Sequence, residues 1–236
     1  AVFFLNPDDK QLFIERGIVP NAVKPVLING IGVNIEKFAF APPKLSPVTF
    51  LLIARLIKDK GILEYVEAAR LLKQKYPMAK FQLLGPLDIN PAAITQAQLD
   101  QWSKEGIIEY LGKTNDVRPY IADASVYVLP SYREGTPRSV LEAMSMGRPI
   151  ITTDAPGCRE TVVNGRNGFL VPVKDISALK SAMEKFILEP DLIVQMGKQS
   201  RIIAEEKYDV RKVNRVILQE MGLIDPNGML KDNLCV

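Results

Sequence analysis

Two carboxylates and two cations are the residues of this chain whose types and spacing could do chemistry. Glu134 and Glu142 stand eight positions apart in LPSYREGTPRSVLEAMSMGRPIITT, residues 129–153, and Arg55 and Lys60 stand five apart in RLIKDKG. Carboxylates accept hydrogen bonds from pairs of hydroxyls, whereas cations and helix N-termini hold phosphates. The combination suits a ligand that carries both. A plainer reading stands beside it: Glu142 pairs with Arg138 at i, i+4 on a solvated helix face, Glu134 is a loop charge, and Arg55 and Lys60 are solvated surface cations. The chain contains no histidine, so acid-base chemistry performed by this chain alone falls to carboxylate, Lys or Tyr. Cys158 and Cys235 have neither a disulfide-framework nor a metal-ligand spacing. Asp8 and Asp9, just after Asn6-Pro7, read as helix-capping acids rather than a metal pair.

These residues need rigid elements to bring them together. From Val48 onward, short apolar runs alternate with helical periodicity, which predicts strands at 48–54, 80–84, 107–111, 125–129, 149–153 and 168–171. Helices are predicted near 60–76, 92–105, 116–122, 137–146, 176–188, 191–206 and 210–221, with a short one near 157–164. The fold class is therefore α/β, a Rossmann-like doubly wound parallel sheet. In such sheets ligands bind beyond the carboxyl ends of the strands, here the loops after 54, 84, 111, 129 and 153. Gly85 and Gly112 in two of those loops permit close approach of backbone to a ligand. The chain has no GxxxxGK[ST] and no GxGxxG, which sets aside P-loop enzymes and nicotinamide dehydrogenases. Ahead of the sheet, Val2–Leu5 reads as a strand, Lys10–Arg16 as a helix stopped by Gly17, Val26–Ile28 as a strand, and FAPPKLSP as a linker.

Composition narrows the class further. Apolar residues make up 47% of the 236 and charged residues 24%, as in soluble globular proteins. Thirty basic against twenty-seven acidic side chains give a net charge of only +3, which argues against a nucleic-acid partner. The absence of a long apolar run, together with two scattered cysteines, fits a soluble cytoplasmic protein that could still touch the inner face of a membrane. The opening AVFFLNPDD, an apolar run without an initiator Met, reads as a cut from something longer.

Arg55, Lys60-Gly61 and the Glu134-x(7)-Glu142 spacing within REGTPRSVLEAMSMGRPII together resemble the retaining family-4 glycosyltransferases of the GT-B fold. The likeness extends to INGIGVNIEKF, FLLIARLIKDKG, YLGKTNDVRPYIADASVYVLPSY and DAPGCRETVVNGRNGFLVP, covering most of 26–221. PSYREGTP and APGCRE look most like bacterial enzymes that build polysaccharide or glycan repeat units on polyprenyl-diphosphate carriers. The resemblance implies a nucleotide-sugar donor domain at 26–221, the tail of a missing N-terminal acceptor domain at 1–25, and a C-terminal tail at 222–236. It implies that Arg55 and Lys60 clamp the diphosphate, Glu134 faces the sugar hydroxyls and Glu142 the ribose hydroxyls. By the same likeness Gly135 and Thr136 present backbone N–H groups to sugar and phosphate, Lys113 and Thr114 lie beside the base, and Gly85 lies on the donor. The implied activity is hexosyl transfer with retention, from a UDP-type donor to a saccharide or polyprenyl-diphosphate-linked acceptor, with no cofactor and no metal. The family's glycine-rich N-terminal loop and its His are not in this chain, so it is expected to be incomplete alone, with apolar surface bared on its last two helices. The alternatives are a non-catalytic nucleotide-sugar-binding module or, within the same architecture, an epimerase or phosphorylase.

Overall fold

The computed structural model describes residues 1–229; Cys235 and the end of the tail expected at 222–236 lie outside the described residues. The chain opens with β1 (Val2–Phe4), α1 (Pro7–Glu15) and β2 (Pro25–Leu27). The two strands pair in parallel as a small sheet of their own, Phe3 opposite Val26, and Phe13 of α1 meets Phe4 edge-on at 5.5 Å. Helix α1 starts at Pro7 rather than Lys10, because Asn6 caps it by accepting from the Asp9 N–H at 2.8 Å. Asp8 and Asp9 sit in its first turn and pair with Arg159 and Arg133, so both serve structure.

The main sheet follows the predicted alternation: β3 (Thr49–Ile53), α2 (Ile62–Lys75), β4 (Lys80–Leu84), α3 (Gln96–Lys104), β5 (Glu109–Tyr110), α4 (Arg118–Asp123) and β6 (Val126–Leu129). Then come α5 (Arg138–Ser145), β7 (Ile150–Thr153), β8 (Gly168–Val171), α6 (Ile176–Leu188), α7 (Asp191–Lys207) and α8 (Val210–Glu220). All six strands are parallel, in the order β5-β4-β3-β6-β7-β8. The chain winds outward from β3 to β5, then crosses back to lay β6 on the other side of β3. Right-handed crossovers therefore place α2 and α5 on opposite faces; α6 packs on α2 and α7 on α5. The central strands are covered on both faces, with Phe50, Leu51, Leu52, Val126, Tyr127, Val128, Ile150 and Ile151 all at 0% exposure. Strands buried on both sides are why these runs read as continuous rather than alternating hydrophobicity.

Three of the helices predicted around the main sheet differ, each for a local reason. The helix expected at 60–76 is interrupted: a 3-10 turn at Lys58–Lys60 ends on Gly61 at φ 72°, and α2 starts only after it. The helix expected at 92–105 begins at Gln96, where Thr95 and Gln98 form a capping box. The short helix expected at 157–164 is a 3-10 turn over Arg159–Thr161. On the last two helices Ile202, Val216 and Leu218 are exposed, and Met221 just beyond them is too. Among the described residues, no helix is long and apolar enough to cross a membrane.

Candidate functional site

The point where the winding reverses lies between β3 and β6, and the loops leaving their carboxyl ends carry Arg55-Lys60 and Glu134. A cavity of about 380 Å³ opens there. Of the residues singled out in the sequence, Arg55, Lys60, Gly85, Thr114, Glu134 and Glu142 line it, and Lys113, Gly135 and Thr136 do not. The Thr136 side chain turns away from the cavity and its Oγ1 donates to the Leu5 carbonyl at 3.0 Å.

Backbone geometry forces the two halves of the site together. Gly61 packs so tightly on the end of β6 that a Cβ would collide with the Pro130 carbonyl oxygen. The Tyr132 N–H and the Ser131 hydroxyl both donate to the Asp59 carbonyl, at 2.9 and 3.1 Å. Lys60 is thereby brought beside Glu134, and Nζ reaches Oε1 at 2.5 Å with both side chains largely sheltered, 19% and 14% exposed. Gly85 does the same between β4 and β3, where a Cβ would strike the Ala54 carbonyl. From below, the Glu134 N–H donates to the Pro156 carbonyl at 2.9 Å, and Gly157 leaves room for the Glu134 carbonyl.

The other charges are arranged differently. Arg55 is 64% exposed at its side chain and reaches Asp88 at 3.2 Å, a loose surface pair that a ligand phosphate can displace at little cost. Glu142 is buried at 8% exposure, yet its Oε1 also accepts from Arg138 Nε at 2.9 Å. The i, i+4 pair and the cavity-facing carboxylate are thus the same residue. No side chain caps the start of α5, and Pro137, Arg138 and Ser139 line the cavity, so the positive end of that helix lies on its wall. Tyr127 Oη lies 3.0 Å from the Ile53 carbonyl and 2.7 Å from Ser139 Oγ, and burial pushes its ionisation far up, so it stays a neutral structural donor. Burial likewise pushes the Cys158 thiol up to about 11, which makes it a packing residue rather than a nucleophile.

Burial raises the Glu142 carboxyl above its ordinary 4.5, against the opposing pull of Arg138 and Lys37. Folded protein therefore holds a proton on Glu142 more tightly than the unfolded chain does; the resulting stabilisation is complete below 4.5 and is lost as pH rises through the higher folded value. Denaturant titrations are expected to show wild type losing stability relative to Glu142→Gln over that rise. Parallel pH profiles for the two proteins would contradict it.

Sequence reasoning did not single out Asp88, Val117 or Ser139, and it saw Arg138 only as a partner for Glu142. Arg138 and Ser139 follow directly from placing α5, since the residues at its start must share a wall with Glu142 one turn on. Asp88, the partner of Arg55, and Val117 stand in the loops after β4 and β5, where ligands are expected, but nothing in their residue types marks them out.

A Rossmann-like α/β unit with cations, carboxylates and a helix N-terminus at its switch point has the features that suit a ligand bearing both phosphates and hydroxyls. Residues 47–189 match the family described as glycosyl transferases group 1, and the chain belongs to that family. An alpha-1,3-N-acetylgalactosaminyltransferase of Campylobacter jejuni, acting on N,N'-diacetylbacillosaminyl-diphospho-undecaprenol by its name, is 28% identical over 210 residues, covering 84% of this chain and 54% of that protein. The UDP-Gal:alpha-D-GlcNAc-diphosphoundecaprenol alpha-1,3-galactosyltransferase of Escherichia coli is 29% identical over 210 residues, 84% of this chain and 53% of that one. The chain spans about half the length of these curated relatives. Among solved structures, HepE from Anabaena in complex with UDP superposes with a TM-score of 0.79 at 21% identity, over 94% of this chain and 63% of that one. That likeness shows the fold, one half of the GT-B architecture.

Proposed function

We propose that the full protein transfers a sugar, with retention, from a UDP-linked donor to a saccharide or polyprenyl-diphosphate-linked acceptor in bacterial polysaccharide or glycan assembly. The observation that carries this reading is that Lys60, Arg55 and two carboxylates, Glu134 and Glu142, line one and the same cavity. In this assignment the diphosphate lies against Lys60, Arg55 and the start of α5, the ribose hydroxyls on Glu142, and the sugar hydroxyls toward Glu134. Thr114 and Val117 border the base, and Lys113 and the Gly135–Thr136 backbone lie in the outer shell of the same loops. The names of the Campylobacter and Escherichia relatives support the acceptor class, and the second supports UDP as the nucleotide.

The chemistry follows from charge. Breaking the bond between the sugar's anomeric carbon and the β-phosphate oxygen builds negative charge on the leaving diphosphate, which Lys60, Arg55 and the α5 dipole stabilise without a resident metal. The acceptor oxygen bonds to that carbon on the face the phosphate leaves, and its proton passes to the departing phosphate. No histidine is required of this half. The acceptor site is assigned to a domain beyond this chain, of which 1–25 is the connecting end. In this proposal the protein works at the cytoplasmic face of the membrane, where a nucleotide-sugar donor and a lipid-linked acceptor would meet.

Two measurements on the full-length protein test the reading. UDP-sugars are expected to raise Tm more than GDP- or ADP-sugars, and radiolabelled sugar is expected to reach the lipid-linked acceptor in the presence of EDTA. Stabilisation without transfer would favour a non-catalytic binding module, and no stabilisation by any nucleotide-sugar would sink both.

A further inference from the structure

Asn6 touches none of the cavity, yet it lies directly beneath the loop that carries Glu134. We propose that Asn6 is a positioning residue for Glu134, its side-chain amide setting where the sugar-facing carboxylate stands; this rests on the donor reading above.

The amide is used on both sides. Its oxygen accepts from the Asp9 N–H at 2.8 Å and caps α1. Of the two N–H groups on its nitrogen, one donates to the Asp9 carboxylate at 2.8 Å and the other is shared between the Glu134 and Gly135 carbonyls at 3.3 and 3.2 Å. One N–H on one side and two carbonyls on the other leave a single sensible orientation for the group. Asn6 is 1% exposed, so each bond is made away from water and a missing partner would leave a buried polar atom unsatisfied.

Capping alone does not explain the residue. Ser, Thr and Asp cap helices about as well, but none of them can also donate to two carbonyls. The neighbours act in the same direction: Thr136 Oγ1 donates to the Leu5 carbonyl at 3.0 Å, and Arg133 pairs with Asp9. Gly135 lies so near Leu5 that a Cβ on it would come within 2.9 Å of the Leu5 Cδ1. With the Pro156 carbonyl accepting from the Glu134 N–H as well, the main chain of the loop is held both at its N–H and at its carbonyls. Only the side-chain torsions of Glu134 remain free, and Lys60 is their partner.

Asn6→Asp keeps the capping oxygen but puts a second carboxylate oxygen where the amide nitrogen faced the Glu134 and Gly135 carbonyls and the Asp9 carboxylate, so attraction there becomes repulsion. In the full-length protein, Kd is measured for UDP and for UDP-galactose and UDP-N-acetylgalactosamine as probes. Asn6→Asp is expected to leave UDP binding within about twofold and to erase about tenfold of the extra affinity the sugar supplies, the scale of a lost buried hydrogen bond. An unchanged sugar increment, or an equal fall for UDP and UDP-sugar, overturns the proposal. Glu134→Ala is the control for the donor reading: if wild type and that variant bind UDP and UDP-sugar alike, the fault lies there and not with Asn6. Hydrogen exchange then decides independently of any ligand. Faster exchange at 133–136 in Asn6→Asp, with α1 unchanged, supports the positioning role, and unchanged exchange there overturns it.

Discussion

Replacing Lys60 with alanine is expected to weaken UDP binding by about ten- to a hundredfold, the equivalent of about 1.5–3 kcal/mol for a hydrogen bond between charged groups. The sheltered setting of Lys60 supports an effect of that size. Its ammonium is held against Glu134 at 2.5 Å and shares the cavity wall with the start of α5, where solvent screens a phosphate contact poorly. The variant also leaves Glu134 without its counter-charge, so the anion meets repulsion where it met attraction. Arg55 is expected to matter less for ground-state binding, because its exposed guanidinium stays hydrated until the diphosphate arrives. Titration calorimetry with UDP checks the contrast. Affinity for UDP within about twofold of wild type in Lys60→Ala would remove this residue from the clamp.

The second large effect is on the fold. Gly61→Ala is expected to destabilise the protein by about 2–4 kcal/mol, combining a left-handed backbone that disfavours side chains with overpacking against rigid main chain. At φ 72°, a Cβ on residue 61 would run into the Pro130 carbonyl. That carbonyl belongs to the end of β6, which cannot retreat without drawing the Glu134 loop off Lys60. Loss of UDP binding is thus expected to accompany the fall in the urea midpoint. Gly106→Ala makes the control, because Gly106 also has positive φ but no atom stands within 4 Å of its Cβ position. Equal destabilisation in the two variants would show that backbone strain alone, without the close approach to Pro130, accounts for the loss.

Much of this architecture is legible in the sequence. Strands 80–84 and 168–171 and helix 176–188 fall on the predicted residues, because runs buried on both faces and clean amphipathic stripes are local signals. The third strand is less so. It was expected over 107–111, but the N–H groups of Ile107 and Ile108 bond back to the Trp102 carbonyl to finish α3, leaving Glu109–Tyr110 for the sheet. The start of α3 was missed for a similar reason: Asn90 and Ala92 are tied into turns by the Asp88 and Asn90 side chains.

At the site, residue types and strand-end positions were enough to bring Arg55, Lys60, Glu134 and Glu142 to one cavity. The partners of those charges were not readable. Lys60 with Glu134, Arg55 with Asp88, and Asn6 with the Glu134 loop all join residues far apart in the chain, and no spacing rule links them. The Arg138–Glu142 pair was readable for the opposite reason, since one helical turn separates its members.

In the proposed donor complex the crevice between the carboxyl ends of β3 and β6 holds a nucleoside diphosphate, with ribose and diphosphate divided between Glu142 and the two cations. A crystal structure of the protein with UDP tests this most directly. The diphosphate is predicted to lie within hydrogen-bond reach of Lys60 and Arg55, with Lys60 drawn away from Glu134 and the ribose hydroxyls on the Glu142 carboxylate. UDP bound elsewhere, or bound there with Lys60 still paired to Glu134 and the ribose turned from Glu142, would contradict it.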